Sequence, residues 1–131
     1  MTPAELEALA RRAVACKHWR WIEGMLTERG DRIASVEHDS LIVLDEEFEI
    51  VELTDGKAIP DLRDPATVGC LLALVREAWG HNAPFSWWPR ASTTWWPQDG
   101  DSAEYWSIEF KDYYQGATEA EALVAALEGA P

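Results

Sequence analysis

The chain is poor in cysteine, poor in basic residues and without a long apolar run, and each shortage excludes something. Of its 131 residues only Cys16 and Cys70 are cysteine. Both sit in apolar, helical settings, so they read as reduced thiols packed as small hydrophobes, not as a disulfide framework. Lys and Arg number 11 against 24 Asp and Glu, a net charge of −13. Direct nucleic-acid binding needs Lys and Arg to displace counterions, and an anionic membrane surface attracts the same residues, so neither partner is expected. The longest apolar run, near Val68 to Val75, is far short of the roughly 20 residues that span a bilayer. The first twenty residues contain no continuous apolar segment of the secretory kind, which gives a cytoplasmic expectation. Paired metal ligands are missing too. Cys16 and His18 are two apart, while His38, Cys70 and His81 are scattered, unlike the Cys-x-x-Cys or His-x-x-x-His pairs of structural zinc sites. Side chains two apart on a fraying helix end diverge, so Cys16 and His18 make a poor nucleophile–base pair. No Gly-rich loop supports a phosphate site beside Lys17 and Arg20. The expectation is a protein without metal, cofactor or catalysis.

What is present suffices for one folded domain over 1–131, with 47% hydrophobic residues. Three segments carry helix start signals. Thr2-Pro3-Ala4-Glu5 is a capping box with Pro at the first helical position, followed by a stripe of Leu6, Leu9, Ala10, Ala13 and Val14. Asp64-Pro65 opens a second helix that runs to about Trp79, with Gly80 placed to stop it. Its expected stripe is Val68, Leu71, Leu72, Val75 and Trp79. Cys70, Ala73, Leu74 and Ala78 make its other sides apolar, which marks a central helix, with Gly69 and Ala73 allowing close backbone approach. Thr118-Glu119-Ala120-Glu121 opens a third, with a stripe of Ala120, Leu123, Val124 and Leu127 before Gly129.

Strands are expected at 32–38, 41–45 and 48–53, then a turn at Asp55-Gly56 leading into 57–59. Two more follow the second helix, one within 85–96 and one over 104–111. In the latter, Trp106, Ile108 and Phe110 face one way and Tyr105, Ser107 and Glu109 the other. Trp19 and Trp21, if extended, face the same side and close one end of the core, with Arg20 opposite. The order α-βββ-α-ββ-α gives an α+β fold, an antiparallel sheet packed by three helices, compatible with a layered α/β sandwich.

Two stretches are candidates for recognition. Trp87-Trp88-Pro89 and Trp95-Trp96-Pro97 hold half of the eight Trp. A residue before Pro is pushed to extended backbone, and Pro is barred from a central ladder, so this is an edge or hairpin end. Each pair then turns one ring inward and one outward. The outward rings of Trp87, Trp88, Trp95 and Trp96, with Asp99 and Asp101 beside them, would form a protein contact, since Trp commonly anchors interfaces. A structural role comes before either use, with two rings in the core and two shielded by neighbours or by homo-oligomer contacts, and a stacking surface for sugars comes after the protein contact. The block from Asp45 to Glu52 alternates acidic and apolar residues. Its Glu46, Glu47 and Glu49 discourage edge pairing, and they also suit a partner with a basic surface. A surface reading is enough for His81. Protein binding is therefore the leading functional expectation, carbohydrate binding or a virion-accessory role the alternative, and a homo-oligomer is compatible with either.

Three stretches, "ACKHWRWIEGM", "IPDLRDPATVGCLLALVREAWG" and "TEAEALVAALEGAP", resemble a group of small uncharacterised proteins carried by tailed bacteriophages and prophages. The succession of helix, Trp-containing hairpin and Ala/Leu-rich helix is loosely similar to the phage ABA-sandwich domain. The resemblance implies an α/β sandwich, expression inside a bacterial host and a host-directed or anti-defence role. It carries no site residues.

Overall fold

A computed structural model of the protein describes residues 1–37, 40–44, 50–54, 58–80, 92–96, 105–110 and 112–131. Among them lie three helices, α1 (Pro3–Ala15), α2 (Pro65–Ala78) and α3 (Glu119–Gly129). There are six strands, β1 (Arg32–Glu37), β2 (Ser40–Leu44), β3 (Ile50–Thr54), β4 (Thr94–Trp96), β5 (Tyr105–Glu109) and β6 (Tyr113–Gly116). The class is α+β, as the patterning predicts. The strands form two three-stranded antiparallel sheets, β1-β2-β3 and β4-β5-β6. The sixth strand, β6, is additional to the expected order. Of the expected 57–59 segment, Lys57 lies outside the described residues and Ala58 and Ile59 belong to no strand; Thr27 and Pro60 form an isolated bridge. The Asp55-Gly56 turn, His38, Asp45, Phe48 and His81 lie outside the described residues.

The chain divides into two compact units, Met1–Val14 with Arg20–Cys70, and Ala15–Trp19 with Leu71–Pro131. In the first, the α1 stripe is buried at Leu9, Ala10 and Ala13, and the described core further includes Trp21, Met25, Ile33, Leu41, Val43, Ala58, Ile59 and Leu62. The α1 capping box is complete: Thr2 Oγ1 accepts from Glu5 N at 3.1 Å, and Glu5 Oε2 accepts from Thr2 N at 2.8 Å. Two helix-terminal donors are thereby satisfied reciprocally. Asp64 caps α2 more elaborately. Its Oδ2 accepts from Thr67 N and from Thr67 Oγ1, each at 2.9 Å. Arg32 approaches the same carboxylate with Nη1 at 2.7 Å and Nη2 at 3.2 Å. Arg32 Nη1 also donates to Gly24 O, and the fully buried Thr67 hydroxyl accepts from Leu26 N. One carboxylate thus joins the start of α2 to β1 and to the 24–26 segment. Hydrogen bonding to Arg32, above all, holds the Asp64 carboxyl below its ordinary range.

In the second unit, α3 buries Ala120, Ala122, Leu123, Val124, Ala126 and Leu127. Thr118 Oγ1 accepts from Glu121 N, while Glu121 Oε2 reaches back to Ala117 N at 2.9 Å, one residue earlier than a capping box would place it. Trp79 at the end of α2 stacks on Phe110, centroids 5.0 Å apart and rings 8° from parallel, and also meets Tyr114. Its indole Nε1 donates to Ala126 O at 2.9 Å, satisfying one of the last-turn carbonyls that α3 leaves open. Gly80, at φ +76°, then ends the helical path with its N–H on Glu77 O.

The α2 stripe differs from the expected one. Thr67, Leu71, Leu74 and Val75 are buried, whereas Val68, Leu72 and Trp79 are half-buried. Gly69 and Ala73 are exposed, and no atom lies within 4 Å of a Cβ built on Gly69. The close approach belongs to Gly116 in β6, where a Cβ would overlap Glu121 Cβ and sit 2.8 Å from Ala122 N. A stripe cannot be phased from sequence when nearly every side of a helix is apolar.

Candidate binding face on the second sheet

The site follows from alternation along β5 and from the register of its neighbours. Trp95 is paired with Trp106, Trp106 with Gly116, and Ile108 with Tyr114. Opposed residues share a face, and this face meets α3 at Gly116 and through Tyr114 against Gly129. The other face carries Thr94, Ser107 and Gln115 in one row, and Glu109 beside Tyr113 in the next. Tyr105, two residues from Ser107, lies on the same face. The register puts Trp106 and Ile108 on the helix side and Tyr105, Ser107 and Glu109 on the other, as expected, while Phe110 falls beyond the end of β5 and burial does not alternate, Ser107 and Ile108 both being buried.

On that open face the side chains differ in height. Ser107 is short and 5% exposed, while Tyr113 is 64% exposed. The result is a shallow hollow of about 270 Å³ lined by Tyr105, Ser107, Tyr113 and Gln115. At one end Glu109 is paired with Tyr113. The negative charge of Glu109, above all, raises the Tyr113 phenol above its ordinary value. Tyr113 is consequently a neutral donor at physiological pH, beside a carboxylate. Aromatic faces, hydroxyls, an amide and one carboxylate make a surface suited to a polar or cationic ligand.

Of the residues expected to form a contact surface, Trp95 is 39% exposed and lies on the α3 side of β4, its ring 5.4 Å from that of Trp106. The backbone of Trp96 pairs with Tyr105; its side chain, together with Trp87, Trp88, Asp99, Asp101, Glu46, Glu47 and Glu49, lies outside the described residues. The Tyr105–Tyr113 hollow was not anticipated. Its one sequence signal is Tyr113-Tyr114-Gln115, a pair of aromatic β-formers just after the fifth strand.

In the first unit, a groove of about 200 Å³ lies between α1 and 59–63, with Leu6, Ala10, Ile59 and Pro60 along it and Glu7, Glu28, Asp61 and Arg63 at its margin. Glu7 is bonded to Arg11 and Asp61 to Arg63, so much of its charge is balanced locally. Trp21 is buried and Trp19 half-buried; neither Cys16 nor Cys70 is in a disulfide. Burial raises the Cys70 thiol, and the charge of Asp64 adds to the effect, the reverse of what a reactive cysteine needs. Among the described residues, no three His, Cys, Asp or Glu gather as metal ligands, and no helix is long and apolar enough to cross a membrane. No protein family, curated protein or solved structure matches this chain.

Proposed function

We propose that this protein acts by binding a partner protein with a basic surface, without catalysis, and that the open face of β4-β5-β6 is its contact surface. The observation that carries the reading is the exposed Tyr113 ring beside the Glu109 carboxylate, on a sheet face turned away from α3. Tyrosine supplies large, rigid contact area, and a carboxylate selects cations. The net charge of −13 extends the same preference over the whole molecule and would speed encounter with a basic protein. The stretches that resemble small phage and prophage proteins support a setting in a bacterial host cytoplasm and a host-directed or anti-defence role, in which an acidic surface competes for a protein that normally holds nucleic acid.

A second reading, carbohydrate binding in a virion-accessory module, draws on the same hollow, where tyrosine rings flank Ser107 and Gln115. A neutral sugar gains nothing from the net charge, which favours the first reading. Capture from bacterial lysate at low and high salt, paired with oligosaccharide titration, separates them. Salt-sensitive retention of a basic protein supports the first. Retention of none, with amide shifts at Tyr105, Ser107 and Gln115 on added oligosaccharide, replaces it with the second.

A further inference from the structure

We propose that the hollow between Tyr105 and Tyr113 reads arginine specifically, taking one guanidinium from the basic partner. This inference rests on the binding reading above and deepens it. The hollow is shallow and framed by two aromatic side chains, which suits a flat group better than a compact one. A guanidinium is planar, weakly hydrated and stacks on aromatic faces; an ammonium is a strongly hydrated point charge.

Acceptors are placed around it. Ser107 and Gln115, paired across β5 and β6, line it between the two tyrosines, and Glu109 is paired with Tyr113 in the next row. A carboxylate offers about four lone-pair sites, enough for a fork of two guanidinium N–H groups. Among the described residues, no Lys or Arg lines the hollow.

The test uses the full chain and two capped peptides, one with arginines spaced by glycine and the other with lysine in their place. Binding is followed through amide shifts at low salt. The arginine peptide should bind about five-fold more tightly than the lysine peptide. Tyr113→Ala should erase that preference, whereas Tyr113→Phe, which keeps the ring face, should retain it. Tyr113 is largely exposed, and an unchanged far-ultraviolet circular dichroism spectrum confirms that each variant folds. Equal, salt-sensitive binding of both peptides overturns the arginine assignment and leaves the basic-partner reading standing. A preference that survives in Tyr113→Ala also overturns it. Binding of neither peptide counts against both.

Discussion

Replacing Asp64 by Ala tests how the first unit is held together. The carboxylate caps α2 through Thr67 N, and loss of an N-cap costs about 1 kcal/mol. It also accepts from the Thr67 hydroxyl, a fully buried group, and losing that partner costs about another 1 kcal/mol. The ion pair with Arg32 contributes less. Arg32 is 47% exposed, and solvent screening limits such a pair to about 0.5 kcal/mol. Asp64→Ala should therefore destabilise by about 2.5 kcal/mol in urea titration, and Arg32→Ala by under about 1 kcal/mol. Asp64→Asn keeps an acceptor oxygen for the cap and should fall between them. Because the folded carboxyl titrates below its unfolded value, its contribution is complete above the unfolded pKa near 4 and is lost as pH falls through the folded value. Asp64→Asn should lack that part of the acid transition. Amide exchange at Thr67 and Val68 reads the cap directly and should accelerate in Asp64→Ala. An Asp64→Ala variant within about 0.5 kcal/mol of the parent, with slow exchange at both amides, would refute the reasoning.

Other consequences are equally direct. Gly116→Ala forces a Cβ onto backbone atoms of α3 that cannot move aside, and should cost about 2 kcal/mol in thermal or urea unfolding. Gly69→Ala, in open space on α2, should instead stabilise by about 0.5–1 kcal/mol. Trp79→Phe keeps the stack on Phe110 but removes the donor to Ala126 O, and should cost about 1–2 kcal/mol by the same measurement. Glu109→Gln should lower the Tyr113 pKa towards its ordinary value in an NMR-monitored titration, and added salt should do the same in part, because the effect is chiefly the charge of an exposed carboxylate.

The helices were legible in the sequence because each carries its own punctuation. Thr2, Asp64 and Thr118 accept from the amide three residues on, and Gly80 takes the left-handed conformation that its place after Trp79 suggests. Alternation in β5 was legible for the same local reason. What could not be read depends on partners distant in sequence. The phase of α2 is set by what packs on it, since Leu72 and Leu74 are equally apolar. Strand β6 is four residues long and gains its structure from pairing with β5, which places Gln115 opposite Ser107 and Tyr113 opposite Glu109. The hollow exists only once that register is fixed. The arginine fork at Asp64 likewise joins residues 32 apart.

Amide-shift mapping of the full chain against the arginine peptide tests the central claim most directly. The predicted result is a saturable, salt-weakened set of shifts concentrated at Thr94, Tyr105, Ser107, Glu109, Tyr113 and Gln115. Shifts gathered instead along Leu6, Ala10, Ile59 and Pro60, or an unchanged spectrum, would contradict it.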